Sequence, residues 1–456
     1  MARLCLLTGL CFLLMAMFGT AAASAESPEE KAERLEREIG ELRAAIAELQ
    51  EVSTDAERLA EIERRLGILA VEVENLKVGE AMPTAAADET VPGLAPAAAK
   101  VYRTDQGLSI GGYGEALIEI FDDSLDDGSE SGKTDTFDLL RAILYFGYKF
   151  NDRFVFNSEI EFEHSTTSES GSASVEFAYL DYLYKPGFNI RGGLLLVPMG
   201  LINELHEPTT FLGAKRPETE RRIIPSTWRE NGLGAHGSLG GLTYRTYLMN
   251  GLDASGFSAS GLRGGRQKGS KAKFEDIAWV GRADWIGTPG LIAGASVYTG
   301  DSGQDLTAAD GSTIDVPTTI WEAHVDWRFK GLELRGLYAS SNLGDVADLN
   351  EALGLDGNAS IGEEMEGYYL QAGWDLLSRR QGRQSLIPYV RWEKVDTQKR
   401  VPDGYDRNPA SDTEIFTLGL AYQPIEQIIV KVDWQDFDNG AGTGGDQFNV
   451  AFGYIF

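Results

Sequence analysis

Apolar and polar positions along this chain follow two different periods. From Leu35 the apolar residues step by four and three through Ile39, Leu42, Ile46 and Leu49. After a break in phase around 52–56, the stepping resumes at Leu59, Ile62, Leu66, Leu69, Val73 and Leu76, with Glu and Arg filling the other positions. This heptad seam predicts an α-helical coiled coil over residues 26–80, and a stripe so narrow is marginal in water unless it self-associates. At about 1.5 Å per residue, roughly 50 residues would reach about 75 Å. A single solvated helix, or one folded back on itself, is the plainer alternative. Residues 81–106 are rich in Ala, with Pro83, Pro92 and Pro96, and read as a flexible linker.

From Gly107 the period becomes two. In 139–150, Leu140, Ala142, Leu144, Phe146 and Tyr148 share one parity, opposite Arg141 and Lys149. In 319–329, Trp321, Ala323, Val325, Trp327 and Phe329 oppose Glu322, His324, Asp326 and Arg328. Ile428, Val430, Val432 and Trp434 oppose Lys431, Asp433 and Gln435. Successive side chains of a strand point to opposite faces, so each segment has a greasy face and an ionised one. About sixteen such segments occur, and their connections alternate between short turns (151–152, 185–187, 240–241, 287–289, 330–331, 378–384, 423–425) and long loops. The long ones include 122–133, 199–231, 251–273, 300–316, 341–363 and 397–411.

This rhythm predicts an all-β fold over 107–456, a transmembrane antiparallel β-barrel of about sixteen strands. A soluble sandwich also alternates. Aromatic residues near strand ends, and a charged parity rich in both signs, favour a lipid-facing barrel.

The two ends agree. Phe448, Val450, Phe452, Tyr454 and Phe456 share one parity, while Gln447, Asn449, Ala451 and Gly453 share the other. A closed barrel pairs such a last strand with the first and leaves no sticky edge. Arg3, an apolar run from Leu4 to Phe18, and Ala23-Ser24-Ala25 predict a secretory signal peptide over 1–25. The two cysteines, Cys5 and Cys11, fall inside it, so the mature chain has no disulfide, thiolate or cysteine metal site. A net charge of −29 argues against nucleic acid as a partner.

A sixteen-stranded barrel is wide enough for a water-filled channel. Its candidate lining residues are Arg141, Arg191, Arg245, Arg282, Asp284, Glu322, Asp326, Arg328, Glu333, Arg335, Arg391 and Lys431. The plainer role for each is an ion pair with the next strand. The longest connection, 199–231, is stiffened by Pro208, Pro217 and Pro225 and carries Glu204, Lys215, Arg216, Glu218, Glu220, Arg221, Arg222 and Arg229. Folded into the lumen it would narrow the pore, and its arginines would hold an anion. Folded outward it would cover the mouth or pack on a neighbouring subunit.

The run Arg191-Gly192-Gly193 through Pro198-Met199-Gly200, then the acidic and Arg-rich loop, Gly232-x-Gly234 and Tyr247–Gly251 resemble the phosphate-selective porin O/P family. The resemblance implies sixteen-stranded trimers whose third loop constricts the pore. Phosphate-selective members serve the anion with a ladder of arginines and a lysine cluster. Here carboxylates interleave with the arginines, so general, organic-anion and cation-preferring channels stay open.

A Ser–His pair at His236-x-Ser238 lacks a third orienting group, and the four histidines show no metal-ligand spacing. His324, between Glu322 and Asp326, reads as a wall residue before a cation ligand. The expectation is therefore a non-enzymatic outer-membrane homotrimer that needs no cofactor or metal and passes small hydrophilic solutes or ions, phosphate and small organic acids among them. Its partners are membrane lipid and itself, with peptidoglycan a candidate partner of the coil. The rival reading is a tether between outer membrane and cell wall, with the barrel as anchor. Deleting residues 27–80 is expected to weaken the oligomer on gel filtration while each barrel still conducts in a planar bilayer. Loss of folding would show that the seam is not a separable element.

Overall fold

The two-residue period becomes strand wherever it was expected. A computed structural model describes residues 91–167, 171–380 and 382–456, so the signal segment, the heptad seam and residues 81–90 lie outside the described residues. Among the described residues the strands are β1 Gly107–Phe121, β2 Thr136–Lys149, β3 Phe154–Glu163, β4 Ser172–Lys185 and β5 Phe188–Leu196. They continue with β6 Arg229–Leu239, β7 Leu242–Asn250, β8 Ile277–Trp285, β9 Leu291–Asp301, β10 Pro317–Phe329 and β11 Leu332–Leu343. The last five are β12 Glu364–Trp374, β13 Ser385–Arg400, β14 Asp412–Ile425, β15 Ile428–Asn439 and β16 Gln447–Ile455.

Each strand pairs antiparallel with its sequence neighbours, and β16 returns to β1 to close a sixteen-stranded barrel. At the seam Phe456 donates to the Gly112 carbonyl (2.9 Å) and Gly112 donates back to Phe456 (3.1 Å), so the final strand keeps no free edge. Turns and long loops segregate to opposite ends as predicted. Several boundaries differ: β13 runs on to Arg400, β11 to Leu343 and β14 to Ile425, and the third loop spans 197–228, because Arg229 and Glu230 already pair with Leu196 and Leu195 as the start of β6.

The outer face is apolar. Phe137, Leu144, Phe146, Leu233, Leu248, Trp321 and Leu370 are all exposed on it, Phe137 to 78%. Their neighbours of opposite parity, among them Ile143, Tyr145, Glu322, His324 and Asp326, are buried inside. Aromatic rings gather at both strand ends. Trp321, Tyr338, Tyr368 and Trp392 form a chain across β10–β13, with successive ring centres 5.2, 6.3 and 5.3 Å apart. Toward the short turns lie Tyr148 with Phe150 (4.9 Å) and Phe154 with Tyr182 (5.0 Å). An apolar band between two aromatic girdles is the surface of a barrel set in a bilayer.

Residues 91–103 correct the expectation of a free linker. Leu94, Ala95, Ala97, Ala98, Ala99 and Val101 are buried, and Lys100–Arg103 form a short helix, α1. The reason is steric fit. These side chains are small and apolar, and the wall beside them is bare: a Cβ added to Gly147 would stand 2.7 Å from Val101 Cβ, and one on Gly111 3.1 Å from the Ala97 carbonyl. The segment therefore lies against the inner wall instead of extending away from it.

Leu370 is 62% exposed in the middle of β12. Leu370→Arg is expected to cost about 2–4 kcal/mol, measured by urea unfolding of the barrel in lipid vesicles. A change within about 0.5 kcal/mol would place this face outside hydrocarbon.

Candidate pore constriction

The third loop folds into the barrel because both its backbone and its side chains find partners on the wall. Gly200 takes a positive φ of 70°, and a Cβ there would stand 2.5 Å from Glu220 Oε2, so only glycine fits this entry turn. The Gly200 carbonyl accepts from Arg282 on β8. Farther along, the Thr210 carbonyl accepts from Arg335 (2.9 Å), the Gly213 carbonyl from Lys431 (3.0 Å), and Ala214 N–H donates to Asp433 (2.7 Å). Lys215 reaches Glu119 on β1 (2.7 Å), and Thr219 N–H donates to Glu393 on β13. Glu220, in the helix α2 Glu218–Arg222, accepts from Tyr369 on β12 (2.7 Å). One loop thus touches wall strands most of the way round. It leaves room for itself through small inward residues: a Cβ on Gly453 would meet Pro208 Cβ at 2.4 Å.

The candidate lining residues all lie on the wall with their charges turned inward, and most are consumed by pairing. Asp284 takes Arg245 (2.5 Å), Arg282 (2.9 Å) and His324 (2.9 Å), and His324 also faces Glu322 (2.8 Å). Arg245 continues to Glu204 of the loop (3.3 Å). Arg191 forks onto Asp181 (2.7 and 2.8 Å) and stacks 4.0 Å over Tyr179, while His236 stands 3.4 Å from the same Asp181. Arg335 pairs with Asp326 (2.5 Å), Arg391 with Glu393 (3.7 Å), and Arg141 with Glu115 (3.4 Å) and Glu161 (3.9 Å). Lys431 is buried 3.5 Å from the centre of the Phe211 ring. Arg328 and Glu333, 3.9 Å apart near the short turns, are the more exposed pair. Arg245, Arg282, Arg335 and Lys431 among these wall charges also hold the loop.

Within the loop, Glu218 pairs with Arg221 (2.5 Å) and Arg222 (2.7 Å). Burial opposes its charge, yet the two guanidinium groups hold its carboxyl down to about 2. Arg229, now on β6, pairs with Glu176 (2.9 Å). Glu207 behaves differently. Its carboxylate accepts from Ala97 N–H (2.9 Å) and Ala98 N–H (3.1 Å), tying the inward-packed N-terminal segment to the loop, and burial pushes it up to about 7. Tyr102 fastens the other end of that segment by donating to Asp181 (2.5 Å).

Three cations stand apart. Arg216 donates to Thr227 Oγ1 (2.7 Å), Arg266 to the Thr227 carbonyl, and Arg263 to the Ser226 carbonyl. No ion pair joins any of the three to a carboxylate among the described residues, and Arg216 keeps two buried nitrogens without a partner. Burial first, then the like charges of neighbouring arginines, weaken the hold of Arg263 and Arg266 on their protons. Arg263 and Arg266 come from the fourth loop, 251–276, and were absent from the sequence candidates. The signal was there: Arg263, Arg266, Lys268, Lys271 and Lys273 follow one another with no acidic residue between Asp253 and Glu275.

No protein-family model matches the chain. A protein of Aquifex aeolicus (strain VF5), described as an uncharacterized protein, is 36% identical over 375 residues, 80% of this chain and 83% of that one. The chain belongs to the same family as that protein. Among solved structures, Salmonella typhi OmpF in complex with daunomycin covers 77% of this chain and 98% of its own at 12% identity, with a TM-score of 0.51. A loop-deletion mutant of OmpT, an outer membrane protein of Vibrio cholerae, covers 77% of this chain and 100% of its own at 10% identity, with a TM-score of 0.49. The likeness to OmpF, with the closed sixteen-stranded sheet, makes the fold a porin-like barrel.

Removing residues 91–102 is expected to raise unitary conductance in a planar bilayer, since the segment fills part of the lumen. Unchanged conductance would put the narrowest section elsewhere.

Proposed function

We propose that this protein is an outer-membrane porin through which small anionic solutes diffuse passively, with Arg216, Arg263 and Arg266 as the selecting charges. One observation carries the reading. In a chain of net charge −29, the wall charges are largely neutralised in pairs, while these three guanidinium groups meet at Ser226–Thr227 without a carboxylate. A fixed charge inside low-dielectric walls lowers the cost of bringing in an ion of opposite sign and raises it for the same sign. A guanidinium also offers paired donors that match carboxylate and phosphate oxygens. The preference is for anions as a class. The cluster lies where the third and fourth loops meet, so a solute encounters it with the constriction.

The apolar outer band, the aromatic girdles and the porin-like fold support an outer-membrane setting, the heptad seam supports self-association through an N-terminal coil, and the resemblance to trimeric porins supports three copies. Diffusion needs no cofactor, since the concentration gradient supplies the work.

Two unit charges about 7 Å apart at a dielectric of roughly 40–80 interact by about 0.6–1.2 kcal/mol. Arg263→Gln with Arg266→Gln is therefore expected to reduce the anion-to-cation permeability ratio by roughly eight- to sixtyfold per charge, because each charge acts on the two ions with opposite sign, read from the reversal potential in a salt gradient. The same change at the paired Arg391 should shift it less. A wild-type reversal potential of cationic sign would reject the proposal, and a barrel without conductance steps would favour the tether.

A further inference from the structure

Glu159 of β3, Glu176 of β4 and His206 of the third loop converge beneath that loop. Their ligand atoms lie within 4.8 Å of one another, and all three residues are buried. His206 Nδ1 stands 2.9 Å from the Asn203 carbonyl, which only accepts, so Nδ1 carries a proton and Nε2 is turned toward the carboxylates. This is how second-sphere carbonyls orient imidazole ligands. Nε2 lies 3.2 Å from Glu159 Oε1 and 3.3 Å from Glu176 Oε2. Around a tetrahedral ion with bonds of about 2.0 Å, adjacent ligand atoms stand about 3.3 Å apart.

A second observation points the same way. Glu159 Oε2 is buried without a hydrogen-bond partner, a costly state for a carboxylate oxygen, and Glu176 Oε2 has the 3.3 Å approach of His206 Nε2. The nearby guanidinium groups do not relieve it. Arg229 occupies the other oxygen of Glu176 (2.9 Å), and Arg141 is shared between Glu115 and Glu161. His206 is the hydrogen-bond partner of Glu159 among the described residues.

We propose that Glu159, Glu176 and His206 form a site for a divalent transition-metal ion that pins the third loop to the barrel wall. One imidazole and two carboxylates suit Zn²⁺ or Mn²⁺. The ion takes the place of a proton on Nε2 and gives the unpartnered oxygen of Glu159 a cation to hold. The site joins two neighbouring strands to the loop close to Glu207, which holds the N-terminal segment, so the ion braces the base of the constriction. The competing occupant is a proton: burial disfavours an imidazolium, but the two carboxylates outweigh it and lift His206 to about 10.

The test uses the full chain, unfolded in chelator, refolded in detergent with Zn²⁺ or Mn²⁺, and freed of loose metal by gel filtration. Metal per barrel is counted by mass spectrometry for the wild type, Glu159→Gln and His206→Gln. The expected result is about one ion per wild-type barrel and at least about tenfold weaker retention in each variant. X-ray absorption of the wild type should show one imidazole and carboxylate oxygens around the ion. If His206→Gln fails to fold, Glu159→Gln, which keeps shape and volume, decides. A folded wild type that retains no stoichiometric ion overturns the proposal and leaves His206 as an imidazolium between two carboxylates. Equal retention in the variants also overturns it, by placing the ion on other acidic groups.

Discussion

In hydrocarbon a backbone N–H or C=O without a partner costs several kcal/mol, so a spanning sheet must pair every strand edge. Here that requirement is met where β16 returns to β1 and Phe456 bonds back to Gly112. Closure fixes which way each side chain points. Leu144, Trp321 and Leu370 face outward, and Arg141, Glu322 and Arg391 have nowhere to go but the interior. The ionised interior is thus a consequence of the sealed exterior.

An interior so charged cannot remain uncompensated. The wall answers with pairs such as Arg335–Asp326 and with the Asp284 network, then offers what is left to the third loop. Lys431, Glu393, Asp433 and Tyr369 hold backbone or side chains of that loop, so the wall and the constriction are one electrostatic unit. The N-terminal segment joins the same unit through Glu207 and Tyr102. The guanidinium groups of Arg216, Arg263 and Arg266 lie outside this pairing, and a site that recognises mobile ions must keep charge that the protein does not use on itself.

Strand positions, loop lengths and the inward parity were legible because each is a local property: a period of two, a turn of a few residues, a run of loop composition. The inward charges were legible for the same reason. Their partners were not, since Arg282 meets Asp284 on its own strand but the Gly200 carbonyl from 82 residues away. The guanidinium cluster was missed in part because Arg216 and Arg266 belong to different loops, brought together at Thr227. His206 shows no ligand spacing along the chain because Glu159 and Glu176 reach it from strands β3 and β4.

The sequence by itself determined that the chain alternates as a barrel must and which face is greasy, because side-chain direction in a strand follows from backbone geometry alone. Only the tertiary structure decided what fills that barrel. Residues 91–103 look like a linker by composition, yet Gly111 and Gly147 on the paired strands β1 and β2 leave a groove that their small side chains occupy. Whether a charge is spent or free depends on which loop folds over it, and that is settled by shape and pairing across the lumen, at separations no local pattern records.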